Sequence, residues 1–260
     1  MMRVEANGIE FNYRIDGHRG SPWLIFSNSL ATNLAMWDRQ VEGLRDRFRI
    51  VRYDQRGHGE TDAPAGRYNF RTLVADVIGL MDALDIPSAH FCGLSMGGMT
   101  AIALAEEHTD RVNRVIACDC GPASTPQSAQ QWEERIALAR DHGMQALVQP
   151  TVDRWFPADF IASNPDTIEQ VRHMIRTTPL NGFIGCAYAL SNYDLRPGLA
   201  GIRNQVQFIC GGKDASLAGT KALHAAVAGS EFVEIAGAGH ISNLENPTTF
   251  THALQAFLAA

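Results

Sequence analysis

Ala89-His90-Phe91-Cys92-Gly93-Leu94-Ser95-Met96-Gly97-Gly98-Met99 decides the fold of this chain. Residues 89–92 form a short apolar run of strand character, and residues 99–108 form a run of helical character. Between them lies a G-x-S-x-G pentapeptide, Gly93 to Gly97. A serine hydroxyl is a poor nucleophile unless the backbone holds it exposed beside a base. A sharp strand-to-helix turn does this, and glycines on both sides relieve the crowding that such a turn creates. The helix that starts there also aims free N–H groups at the place where an oxyanion would form. The pentapeptide alone is common by chance; its position between a strand and a helix gives it meaning.

The same alternation extends outward from the turn. Residues 11–15, 23–26 and 48–53 read as strands, and residues 37–46 as a helix. Leu73, Val77, Leu80, Met81 and Leu84 recur at helical spacing within residues 70–84. Residues 112–118 are another strand. Repeated strand-then-helix order predicts an α/β fold, a mostly parallel central sheet with helices on both faces. The rhythm changes at residues 124–196, where helical stretches (132–140, 144–149 and 167–177) are punctuated by Pro126, Pro150, Pro157, Pro165 and Pro179. Strand and helix signals resume at 206–210, 220–227, 232–235 and 248–259. The expected organisation is a core of residues 1–123 and 197–260, with residues 124–196 inserted as a helical cap.

Composition narrows the function classes. A chain of 260 residues suffices for one large α/β domain without a metal or disulfide staple. The net charge of −6, with both signs mixed along the chain, argues against a nucleic-acid partner, which calls for a basic stripe. It also means that any attraction for an anion must be local. The five cysteines are odd in number, and three lie in apolar strand-like runs, so buried free thiols are expected rather than a disulfide framework. Cys118 and Cys120 form C-x-C without a second pair at zinc spacing, so a metal site is not expected, and hydrolysis by a serine requires no cofactor. Residues 1–7 have no apolar core of signal-peptide length and no run reaches the length of a membrane span. A cytoplasmic location without a membrane partner is the expectation, and the oligomeric state is left open.

Hydrolysis by a serine needs a histidine base, an acid to orient it and donors for the oxyanion. In the strand–turn–helix context the chain order is Ser, then Asp or Glu, then His. Asp214 follows the strand at 206–210, and His240 follows the strand at 232–235 in a glycine-rich turn. Both would lie at carboxyl ends of strands, the edge where Ser95 sits and where parallel sheets build sites. Asp119, at the end of the strand at 112–118, is the second candidate for the acid. His58, in Arg56-Gly57-His58-Gly59, precedes Ser95 and is expected to frame a loop instead. The amides of Met96 and Leu30 are the expected oxyanion donors, the second on the position of the loop Ser27-Asn28-Ser29-Leu30-Ala31 alone. Together these features predict a serine hydrolase of the α/β-hydrolase type.

The loop at 27–38, Ser27-Asn28-Ser29-Leu30-Ala31-Thr32-Asn33-Leu34-Ala35-Met36-Trp37-Asp38, resembles that of 3-oxoadipate enol-lactonases. Most α/β-hydrolases carry His-Gly where this chain has Asn28-Ser29. Residues 53–59, 91–99, Arg154-Trp155-Phe156 and 239–245 extend the resemblance over nearly the whole chain. One departure is Ala215-Ser216-Leu217-Ala218-Gly219, where the family usually has a proline-containing turn. The resemblance implies a small anionic substrate, an enol-lactone bearing an acetate arm, opened to 3-oxoadipate in the breakdown of aromatic compounds by the β-ketoadipate pathway. The arm needs a cation from the cap. Arg135, one helical turn after Trp132, is the first candidate and Arg154 the second. A general carboxylesterase or lactonase, a carbon–carbon bond hydrolase, a cofactor-free perhydrolase, and a ligand sensor with the same fold are the alternatives.

Overall fold

A computed structural model describes residues 2–259; Met1 and Ala260 lie outside them. Eight strands form one sheet: β1 (Met2–Ala6), β2 (Ile9–Asp16), β3 (Trp23–Ser27), β4 (Arg49–Tyr53), β5 (Ala89–Leu94), β6 (Val112–Cys118), β7 (Gln205–Gly211) and β8 (Glu231–Ile235). Their order is β1-β2-β4-β3-β5-β6-β7-β8. The first two strands are antiparallel to their neighbours, and all pairs from β4 to β8 are parallel. Ser95, Asp119, Asp214 and His240 therefore all follow strands that end at one edge.

Parallel strands covered on both faces should be apolar along their middles, and β3, β5, β6 and β7 are. Leu24, Ile25, Phe26, Phe91, Cys92, Ile116, Ala117, Phe208 and Ile209 are fully enclosed. The core helices are α1 (Asp38–Leu44), α2 (Phe70–Ala83) and α3 (Met96–Glu107). Trp37 stacks on Phe26 with ring centroids 4.5 Å apart, which fixes the start of α1 against the sheet. Helix α2 begins at Asn69, whose side chain accepts the Thr72 N–H.

Five helices lie between β6 and β7: α4 (Pro126–His142), α5 (Gln145–Trp155), α6 (Ala158–Ser163), α7 (Pro165–Thr177) and α8 (Leu180–Ser191). The chain enters and leaves this segment side by side. Ala123 and Asp194 form an antiparallel bridge, Ser124 N–H donates to Tyr193 O, and Leu195 N–H to Pro122 O at 2.8 Å. The core is completed by α9 (Leu217–Ala226), α10 (Ser242–Glu245) and α11 (Pro247–Ala259).

Several elements differ from the sequence-based expectation. Helix α4 starts six residues before 132, because Thr125 and Ser128 form a reciprocal cap ahead of Pro126. Helix α5 runs through Pro150 to Trp155 instead of ending at 149. Helix α8 was not expected at all. It buries Gly182, Phe183, Gly185, Cys186, Ala187, Ala189 and Leu190, and so presents no polar face to reveal a period. Strand β1 is exposed along most of its length and lacks the apolar signal of a strand.

Candidate active site

Ser95 stands at the start of α3 with φ 56° and ψ −112°, in the left-handed region that a non-glycine residue enters only under constraint. Neighbouring main chain imposes that constraint. Ser95 N–H donates to Cys118 O at 2.8 Å, and α3 is pressed so close to the sheet that side chains on either flank would collide. A Cβ at Gly93 would meet Gly97 O at 2.0 Å, and one at Gly97 would meet Ser27 O at 2.3 Å. The two outer letters of G-x-S-x-G thus admit only glycine, and the middle one is forced outward.

The three candidate residues of the turns converge. His240 Nε2 lies 3.0 Å from Ser95 Oγ, and His240 Nδ1 lies 3.0 Å from Asp214 Oδ2. The Asp214 side chain is 5% exposed and that of His240 16%, so both work in a largely dry place. Burial by itself raises the Asp214 carboxyl. The facing His240 and the hydrogen bonds from His240 and Ser216 outweigh it and hold the carboxyl well below the ordinary aspartate value. With Asp214 Oδ2 as acceptor, Nδ1 carries the imidazole proton and Nε2 faces the hydroxyl as acceptor.

Ser216 was missed in the sequence. Its N–H reaches Asp214 Oδ1 at 3.2 Å, and its hydroxyl donates to Asp214 Oδ2. The stretch at 215–219 that departs from the family's proline turn therefore supplies a clasp on the acid. A serine two residues after an aspartate at a strand end is the local signal that could have found it.

In the loop after β3, three consecutive-region amides are occupied. Ser29 N–H points at Met36 Sδ, Ala31 N–H donates to His58 Nε2 at 2.9 Å, and Thr32 N–H donates to Ser29 O. The Leu30 amide has no acceptor among the described residues. Met96, the first residue of α3, has the free N–H of a helix start. Asn28 holds the loop: its Nδ2 donates to Ser29 O and Thr32 O, and its Oδ1 accepts from Gln55 N–H. His58 is fully enclosed, and burial pushes its imidazole down to about 4 despite the bond to Arg56 O, so it is neutral. It supports the loop after β3 through the Ala31 N–H.

A cavity of about 350 Å³ opens over Ser95. Leu30, Met99, Trp132, Trp155, Leu190 and Tyr193 give it apolar walls, and Arg135 and Arg154 give it positive charge. The Arg135 guanidinium sits over the Trp132 ring, 4.6 Å from its centroid. Neither arginine has a carboxylate partner within salt-bridge distance among the described residues, unlike Arg52 and Arg56 in the core. Arg154 keeps exposed surface at the cavity. Crowding of its guanidinium by protein, together with the charge of Arg135, lowers it from the ordinary arginine value against the opposing pull of Asp214. Both remain cations at neutral pH. A larger, more polar groove of about 880 Å³ between α1 and α11 contains none of Ser95, Asp214 and His240.

The α/β-hydrolase fold model matches residues 22–247. The chain belongs to the α/β-hydrolase fold family. It is 38% identical over 98% of its length to 3-oxoadipate enol-lactonase 2 of Acinetobacter baylyi, covering 95% of that protein. It is 31% identical over 99% of its length to 3-oxoadipate enol-lactonase 1 of the same organism, covering 96% of it. The crystal structure of the enol-lactonase from Burkholderia xenovorans superposes over the whole of both chains, with a TM-score of 0.96 and 41% identity. This α/β-hydrolase is an enzyme that cleaves esters or lactones. No helix among its described residues is long and apolar enough to cross a membrane.

Proposed function

We propose that this α/β-hydrolase opens 3-oxoadipate enol-lactone to 3-oxoadipate through a covalent acyl-enzyme, as a step in aromatic-compound catabolism. The observation that carries this reading is the chain of two 3.0 Å contacts, Asp214 to His240 to Ser95, beneath a cavity lined by two unpaired arginines.

Ser95 Oγ attacks the lactone carbonyl carbon while His240 Nε2 takes its proton. Asp214 holds the imidazole tautomer and offsets the charge that His240 gains. The carbonyl oxygen becomes an oxyanion between the amides of Leu30 and Met96. Collapse breaks the ring C–O bond. The leaving oxygen departs as an enolate, takes the proton from His240 and stays tethered, because the ring has opened within one molecule. Water deprotonated by His240 then attacks the acyl carbon and frees Ser95. The acetate arm of the substrate faces Arg135 and Arg154, where a charge-assisted bond to a carboxylate forms.

Rates on the enol-lactone, a neutral lactone and p-nitrophenyl acetate test this. Fast loss of the enol-lactone's ultraviolet absorbance and slow cleavage of the plain ester are expected, with S95A inactive on all three. An enol-lactone left untouched while simple esters turn over quickly would replace this reading with that of a general carboxylesterase.

A further inference from the structure

Two consecutive residues at the end of β6 touch all three turns of the site. Cys118 O accepts from Ser95 N–H at 2.8 Å. The next residue, Asp119, adopts φ 51°, which turns its side chain inward beneath the site. Its Oδ1 accepts the N–H of Gly211, at the start of the turn that carries Asp214, at 2.8 Å. Its Oδ2 accepts from the hydroxyl of Ser242, two residues beyond His240, at 2.6 Å. Asp119 is wholly enclosed, and no lysine or arginine pairs with it among the described residues.

We propose that Asp119 is a positioning residue for the hydrolytic step, its carboxyl tying the turn of Asp214 to the turn of His240 so that acid and base stay in register over Ser95. The proposal rests on the assignment of Ser95, Asp214 and His240 given above. Asp119 does not serve as a second acid for the base, because His240 Nδ1 is already engaged by Asp214 at 3.0 Å. Nor does it act through its charge. Asp119, Cys210 and Asp214 place their polar atoms within 4.8 Å of one another, and two carboxylates so close in a dry site do not both ionise. Burial and then the charge of Asp214 raise the Asp119 carboxyl well above the ordinary aspartate value, against the bonds from Ser242 and Gly211. What the site uses is the shape of Asp119, an acceptor toward Gly211 and a polar partner toward Ser242. An asparagine has the same shape: its Oδ1 can accept from Gly211 N–H and its Nδ2 can donate to Ser242 Oγ.

The test is the rate of covalent labelling of Ser95 by a fluorophosphonate, read beside kcat and KM on p-nitrophenyl acetate and the melting temperature. D119A is expected to label and turn over about 30-fold more slowly with KM changed less than about 2-fold, since a small displacement of acid and base costs rate rather than binding. D119N is expected to retain at least about a third of the wild-type rate on the same grounds. S242A, which cuts one of the two ties, is expected to lose about 3- to 10-fold and serves in place of D119A should the alanine variant not fold. D119A or S242A at the wild-type rate would overturn the proposal. So would D119N as slow as D119A, which would make the charge the working feature. Wild-type protein that turns over ester but is not labelled at Ser95 would overturn the assignment of the nucleophile, and with it the role of Asp119.

Discussion

The main-chain N–H of His240 donates to the carbonyl of Trp155 at 2.7 Å. The Trp155 indole also lies against the imidazole, with ring centroids 5.9 Å apart. The last residue of α5, outside the sheet core, thus holds the turn of the proposed base. Gly239 allows this approach: a Cβ there would meet Trp155 O at 2.3 Å. G239A is therefore expected to push His240 away from Ser95 and lower kcat about 10- to 100-fold with little change in KM. Steady-state kinetics on a small ester check this, and a wild-type kcat would show that the contact does not hold the base.

His58 supports the proposed oxyanion loop from below through the Ala31 amide. H58A leaves that buried N–H without an acceptor, at a cost of about 1–3 kcal/mol of stability. It also frees the neighbouring Leu30 amide to drift, so kcat is expected to fall about 10-fold or more. Urea unfolding and kinetics together check both effects. A stable H58A variant with full activity would remove His58 from this role.

Arg135 and Arg154 line the cavity, and neither has a carboxylate partner within salt-bridge distance among the described residues. R135A and R154A are each expected to raise KM for an anionic lactone about 10-fold, as loss of a charge-assisted bond does, and to leave the neutral ester unchanged. Added salt should weaken the wild-type preference for the anionic substrate. Equal losses on charged and neutral substrates would mean that the arginines shape the cavity rather than read charge.

Glu245 receives the N–H of Gly239 on its carboxyl, 2.9 Å from each oxygen. Burial raises this carboxyl, the Gly239 amide opposes the rise, the charge of Asp214 adds to it, and the result is about 7. Below the ordinary glutamate range both folded and unfolded chains hold the proton, and the contribution to stability is complete. Between that range and about 7 the folded chain keeps a proton that the unfolded chain has released, so stability falls as pH rises through this window. E245Q carries no such proton. Unfolding midpoints in urea at pH 5 and pH 8 should differ less for E245Q than for the parent, and an equal difference would contradict the assignment.

The sequence was most legible where a backbone requirement leaves few choices. Gly93 and Gly97 are readable because any side chain would strike main chain, and the strand-then-helix order around them locates the sheet edge. Asp214 and His240 stand out because each sits in a glycine-containing turn just after a strand. Ser216 and Trp155 were not read as partners of these residues. The first is an ordinary turn serine in sequence, and the second acts through a carbonyl that every residue possesses. The loop amide of Leu30 has no letter of its own either. Helix α8 escaped notice for a different reason: its outward face carries Leu180, Ile184 and Tyr188, so apolar residues on both faces erase the alternation that marks a surface helix.

Gly57 and Gly182 meet back to back, with Gly57 at φ 76°. A Cβ on Gly57 would lie 2.3 Å from Gly182 Cα, and one on Gly182 would lie 1.9 Å from Gly57 O. The seam between α8 and the loop after β4 is bare main chain against main chain. Recombination that swaps the segment between β6 and β7 for that of a relative must therefore inherit glycine at both positions. A single methyl group at either one would wedge the graft off its platform, and with it the aromatic and cationic walls that the graft was meant to bring.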